Sequence, residues 1–93
     1  MKILSLNCRG LKILEAVEEL RCLVREKGPK ILFLFEARLD MDGFHRLKKK
    51  LDFTTGFVVL KIGLGGVLAL LWADCVDLDI QTSSPHHIDA LVN

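Results

Sequence analysis

The fold class that the sequence predicts is α/β, with about six strands and two helices. Two observations lead to this prediction: a helical pattern lies between two short apolar segments, and strand-like segments fill the second half of the chain. A strand, a helix and a second strand in this order form a β-α-β unit, whose strands are parallel neighbours joined by a right-handed crossover. We therefore expect a parallel strand pair at the start of the chain.

The β-α-β unit is predicted from the first 35 residues. Residues 2–6 form a short apolar strand candidate, and apolar residues recur at helical spacing from Ile13 to Val24. Gly28 can adopt the left-handed conformation after a helix and Pro29 cannot continue one, so the helix is expected to stop there. The unbroken apolar run at 31–35 is typical of a strand that is covered on both faces.

The second half predicts one more helix and further strands. Residues 41–51 show a shorter helical pattern, with Asp40 as the N-cap. A glycine-rich connection at 63–66 and a turn at 83–85 separate the apolar and alternating segments that follow. These segments predict strands at residues 57–60, 67–72, 76–81 and 88–92.

The composition excludes several classes of protein. Ninety-three residues make at most one domain, and 13 basic against 12 acidic residues exclude a basic footprint over the whole chain. Three scattered cysteines without a C-x-x-C pair indicate neither a disulfide framework nor a zinc knuckle, and they fit a reducing, intracellular compartment. The longest apolar stretch, 57–72, is shorter than a spanning helix and contains Lys61, so no membrane contact is expected.

Asn7 and Glu36 are the sharpest candidates for a functional site. Each is expected just past the carboxyl end of its strand, and in open α/β sheets ligands bind at that edge. Amide and carboxylate oxygens suit Mg²⁺, which keeps waters and substrate phosphates as its other ligands. The alternative is that Glu36 is a solvated strand end or a partner of a helix cap.

Other polar groups give weaker candidates. His87 and Asp89 share one face of a predicted strand while His86 points the other way, so a polar strand end is favoured over a metal cluster. Arg46 and residues 48–50 form a local basic patch, for which a solvated helix face is favoured over a phosphate contact.

Four segments carry a resemblance to a known family: MKILSLNCRGL, PKILFLFEARL, GFVVLKIGLGGVLALLW and SPHHIDALV. They resemble the start of an exonuclease–endonuclease–phosphatase (EEP) domain, particularly the endonuclease of non-LTR (LINE-type) retrotransposons. The resemblance implies the N-terminal part of a DNase I-like four-layer α-β-β-α sandwich. It also implies Mg²⁺-dependent hydrolysis of DNA, with Asn7 and Glu36 at the metal-binding positions. Arg9 follows Asn7 in the same loop and is expected to orient that loop, meet a phosphate or form a surface ion pair.

The sequence also departs from the family pattern. Leu6 stands where an aromatic residue is common, Ala37 where a small hydroxyl residue is common, and Val67 where glycine is common. The later Asp-x-Asn segment and the terminal Asp-His pair have no counterpart. We therefore expect residues 1–93 to be a truncated domain with no complete catalytic set, inactive alone.

The expected truncation leads to further expectations. DNA would be a partner only of the full domain, and a nuclear location follows only from the resemblance. An incomplete second sheet would leave one sheet face uncovered and prone to self-association; the residues expected there are Phe33, Phe35, Leu68, Leu70 and Trp72. The alternatives to an enzyme fragment are a non-catalytic interaction module and a pseudogene remnant without a selected role.

Overall fold

A computed structural model describes residues 2–7, 13–38, 40–59 and 67–93, and the side chains of 13–16 are outside this description. The described part is α/β, with six strands and two helices. In chain order the elements are β1 (Ile3–Asn7), α1 (Ile13–Lys27), β2 (Ile31–Ala37), α2 (Met41–Lys50), β3 (Thr55–Val59), β4 (Val67–Trp72), β5 (Leu78–Ser84) and β6 (His87–Val92).

The main sheet has four strands in the order β1-β2-β4-β3. β1 and β2 are parallel, with Leu4 beside Leu32 and Asn7 beside Phe35, so the predicted parallel pair is confirmed. β3 and β4, which correspond to the predicted strands at 57–60 and 67–72, are antiparallel neighbours. β5 and β6 form a separate antiparallel sheet of two strands.

The two helices bury one face of the main sheet. Leu32, Leu34 and Leu71 on that face have no solvent exposure. The amphipathic stripes of the helices pack onto them and exclude water, which is the main favourable term in folding. The helix residues in this core are Val17, Leu20, Phe44 and Leu47.

The opposite face of the main sheet carries the two-stranded sheet. Ile31, Leu70 and Trp72 are buried there, with Leu78, Ile80, Ile88 and Ala90 packed against them. The expectation of an uncovered face is therefore wrong for most of its residues, because the apolar sides of β5 and β6 supply a cover. Phe33 and Phe35 are only half-buried, with ring centroids 5.8 Å apart.

Local chemistry sets the helix ends where the sequence predicts them. Gly28 has φ +61° and donates its N–H to the carbonyl of Val24 (2.8 Å), closing α1 in the left-handed form that glycine favours. The Asp40 carboxylate accepts from the N–H of Gly43 (2.7 Å) and caps α2. Neither helix is long and apolar enough to span a membrane within the described residues.

Several strand boundaries differ from the prediction. β1 includes Asn7, which was expected just past its end, and β3 begins at Thr55 and β5 at Leu78 rather than at 57 and 76. β2 continues through Ala37, because its last residues pair with β4. β5 continues through Ser84, which pairs with His87, so the turn consists of Pro85 and His86 rather than residues 83–85.

Candidate metal centre

Asn7 and Glu36 lie on the neighbouring parallel strands β1 and β2, at the edge of the main sheet that the carboxyl ends of these two strands form. Asn7 is the last residue of β1 and stands beside Phe35, which directly precedes Glu36. Neighbouring strands are about 4.8 Å apart, so the backbone brings the two positions together. Glu36 lies inside β2 rather than past its end, which corrects the predicted boundary.

A β-bulge shapes the strand at Glu36. Leu34 stands opposite Ala69 and Ala37 stands opposite Val67, so Phe35 and Glu36 together face one residue of β4. Glu36 has φ +59°, a left-handed backbone conformation that costs a non-glycine residue about 1–2 kcal/mol. Such outliers concentrate at functional sites, where the surrounding structure holds them in place.

The bulge changes the face to which the Glu36 carboxylate belongs. Regular alternation after Leu34 would put Glu36 on the helix-covered face. Glu36 instead lines a cavity of about 370 Å³ on the opposite face, together with Phe33, Phe35, Leu68, Pro85 and His86. The Oε2 atom of Glu36 is shielded from solvent, whereas the residue as a whole is half-exposed.

Asn7 is exposed at the same edge. In β1, Leu4 and Leu6 pack against the helix-side core. Alternation therefore assigns Asn7 to the other face, the one to which the bulge turns Glu36. An amide and a carboxylate thus share a sheet edge and a sheet face, which is the arrangement that a shared ligand would need.

The donor chemistry at this edge fits a hard divalent cation that keeps most of its own ligands. Asn7 and Glu36 offer oxygen, and Mg²⁺ in proteins is commonly held by one or two carboxylates plus waters and phosphates. Within residues 2–7, 13–38, 40–59 and 67–93, no three His, Cys, Asp or Glu side chains form a metal-binding group. Asn7 and Glu36 would supply two ligands to such an ion, and waters or phosphates would fill its other positions.

Some predicted features lie outside the described residues. These are Arg9, next to Asn7 in the sequence, and the glycine-rich segment 63–66.

His86 and His87 lie in different environments. His87 hydrogen-bonds through Nδ1 to the Ser84 hydroxyl (2.6 Å) and through Nε2 to the Thr82 hydroxyl (3.2 Å). These contacts hold both ring nitrogens within the β5–β6 sheet. They agree with the interpretation of His87 as part of a polar strand end rather than a metal cluster. His86 lies in the turn and lines the cavity beside Glu36.

Sequence reasoning did not associate His86 with Glu36. Fifty positions separate them, and their proximity depends on which face of the main sheet the two-stranded sheet covers. The sequence signal that could have suggested this proximity is the Pro85–His86 turn, because a turn places His86 at one end of a hairpin.

Comparison with known proteins does not assign the chain to a family: no protein-family model matches it, and no curated protein matches it significantly.

Proposed function

We propose that the chain forms the metal-binding part of a Mg²⁺-dependent phosphodiester hydrolase of the EEP type, with DNA as the substrate that the resemblance implies. The observation that carries the proposal is that Asn7 stands opposite Phe35, the residue before Glu36, where the parallel strands β1 and β2 end. The strained bulge at Glu36 supports it, because the carboxylate is turned toward a cavity at an energetic cost.

The layering of the described residues is compatible with part of an α-β-β-α sandwich. Helices cover one face of the main sheet and a second sheet covers the other. We propose that these layers correspond to the first three of the four in a DNase I-like domain.

In this proposal Asn7 and Glu36 hold the cation, and Glu36 supplies the negative charge of the pair. A bound Mg²⁺ would stabilise charge that develops on a phosphate. The bulge sets the direction of the carboxylate, and the half-buried rings of Phe33 and Phe35 line the cavity beside it. Arg9 would orient the adjacent loop or contact a phosphate.

The 93 residues are proposed to be inactive alone. Hydrolysis of a phosphodiester needs an oriented water and a base in addition to the cation. The sequence contains neither the Asp-x-Asn segment nor the Asp-His pair that supply these functions in the family it resembles.

Binding of Mn²⁺, a paramagnetic substitute for Mg²⁺, tests the site directly. We expect Mn²⁺ to broaden the NMR signals of Asn7, Phe35 and Glu36 first, and Glu36→Gln to weaken this binding by about tenfold. Glu26→Gln removes an exposed carboxylate of α1 and is the matched control, expected to change nothing. The same broadening at the same Mn²⁺ concentration in Glu36→Gln would contradict the proposed site.

A complementation assay tests the activity. The purified chain should not nick plasmid DNA with Mg²⁺, whereas addition of the C-terminal half of an EEP endonuclease should give nicking that Glu36→Gln abolishes. Robust nicking by the chain alone, unchanged by Glu36→Gln, would refute both the site and the predicted inactivity.

A second candidate function is an interaction module that pairs through a sheet edge. β1 is an edge strand, and its Ile3 is 65% exposed. Exposed apolar edge strands favour pairing with another chain. Sedimentation equilibrium should then show dimers that Ile3→Lys disrupts and that Glu36→Gln leaves intact; a monomer at all concentrations would exclude pairing between copies of this chain.

A further inference from the structure

A basic cleft lies at the end of the main sheet opposite to Asn7 and Glu36. It occupies about 560 Å³ between the last turns of α1 and α2, beside Lys30 before β2 and Ala73 after β4. The N–H of Ala73 donates to the carbonyl of Lys30 (2.9 Å), which joins the two strands at the base of the cleft. Buried Pro29, Leu51 and Phe53 also line it.

The lining of the cleft is strongly cationic. Five basic side chains line it against one acidic side chain, Asp52; the basic ones are Arg21, Arg25, Lys30, Lys49 and Lys50. The whole chain carries a net charge of only +1, so positive charge is concentrated here. Clefts lined by charge of one sign raise the local concentration of ligands of the opposite sign.

Neutralisation of the helix ends does not account for these cations. Two helix carboxyl ends together carry about one negative charge, fewer than the excess of cations. Some of the terminal carbonyls also accept from backbone N–H groups: Gly28 donates to Val24 (2.8 Å), and Phe53 donates to Lys48 (3.0 Å).

Ion pairing within the protein does not account for them either. Among the described residues, the ion pair that involves the cleft joins Arg21 Nη1 to Glu18 (3.2 Å). The side chains of Arg25, Lys30, Lys49 and Lys50 are exposed without a carboxylate partner in that part of the chain.

We propose that this cleft binds a small molecule through a chain of two or three phosphates. The volume lies within the range of about 300–1,000 Å³ that is usual for small-molecule sites. Arginine forks and lysine ammonium groups are the side chains that bind phosphate in proteins. Five basic side chains against one carboxylate match the charge of a di- or triphosphate group better than that of a single phosphate.

The cleft is separate from the proposed metal site. β2 has seven residues and runs between them, which corresponds to about 20 Å. The inference therefore goes beyond the proposed function, and it can be tested without a divalent cation.

The probe is tripolyphosphate. It is titrated into the full chain in a buffer that contains EDTA, and isothermal titration calorimetry measures the heat of binding. We expect saturable binding at one site, weakened about tenfold in the double variant Arg25→Gln/Lys50→Gln. The matched control is Arg46→Gln/Lys48→Gln, which removes two positive charges near the cleft from residues that do not line it. The control should lower the affinity by less than about twofold, as expected from screened charges.

Lysine acetylation provides a second readout that needs no variant. Tripolyphosphate should protect Lys30, Lys49 and Lys50 from acetylation while Lys27 and Lys48 stay reactive. Equal loss of affinity in both double variants, or protection of all lysines alike, would overturn the proposal in favour of diffuse attraction. Absence of tripolyphosphate binding, together with binding of a DNA oligonucleotide that Arg25→Gln/Lys50→Gln abolishes, would overturn it in favour of a nucleic-acid surface.

Discussion

The two faces of the main sheet differ in how completely they are covered. On the helix side, Leu32, Leu34 and Leu71 have no exposure. On the side of the two-stranded sheet, Phe33 and Phe35 stay half-buried and a cavity opens beside Glu36. The difference indicates that the helix side supplies most of the stability, while the other side keeps accessible space for the candidate site. Functional regions are often drawn from the less stable parts of a fold.

The largest expected effect on stability comes from shortening a buried side chain on the helix side of the main sheet. Leu71→Ala should lower the free energy of unfolding by about 3–4 kcal/mol, because it leaves a cavity in a closed core. Leu70→Ala, the neighbouring position on the other face, should cost about 2 kcal/mol, because the half-buried Phe33 and Phe57 beside it have room to move into the space. Urea unfolding followed by far-UV circular dichroism measures both. Equal losses would contradict the difference between the faces.

A glycine on β3 tests how tightly the helix side is packed. A Cβ at Gly56 would lie 2.8 Å from Cζ of Phe44 and 3.2 Å from the carbonyl oxygen of Leu70. Gly56→Ala should therefore cost about 1–3 kcal/mol in the free energy of unfolding. Phe44→Leu removes the ring atom, so the double variant should recover part of the loss. Additive losses in the double variant would show that the ring is not the obstacle.

Much of the fold could be predicted because it depends on local chemistry. Gly28 after α1 and Asp40 before α2 act on their own helices, and the apolar run of β2 reflects burial on both faces. The parallel pairing follows from the order strand, helix, strand. These features require no knowledge of distant residues.

The features that sequence reasoning missed depend on distant contacts. The bulge at Glu36 arises from the register of β2 against β4, more than thirty positions away. The basic cleft forms because the ends of α1 and α2 approach each other, so the patch at 48–50 and the arginines of α1 could not be joined in advance. The cover on the second face depends on which side of the sheet the β5–β6 pair lies.

A smaller effect is expected for the two-stranded sheet. Ile88 is half-buried against the main sheet, so Ile88→Ala should cost about 1 kcal/mol. Because Trp72 is the single tryptophan and lies under this cover, its fluorescence should shift to longer wavelength. Leu91→Ala is the control, since Leu91 is 52% exposed and should change stability by less than about 0.5 kcal/mol. An unchanged Trp72 spectrum in Ile88→Ala would argue against this packing.

The smallest effect concerns the backbone of the candidate site itself. Glu36→Gly and Glu36→Ala both remove the carboxylate, so they differ mainly in how well residue 36 tolerates φ +59°. The glycine variant should be more stable than the alanine variant by about 1 kcal/mol in urea unfolding, and both should weaken Mn²⁺ binding at least as much as Glu36→Gln.

Asp52→Gly is the control for this pair, because Asp52 has φ +64° at the end of α2, away from Asn7 and Glu36. It should gain a few tenths of a kcal/mol in stability and keep Mn²⁺ binding, since aspartate tolerates this conformation better than alanine. A glycine variant at 36 that is no more stable than the alanine variant would mean that the bulge stores no strain. The carboxylate would then face the cavity without an energetic cost, and the strain would no longer support a functional site on the less covered face.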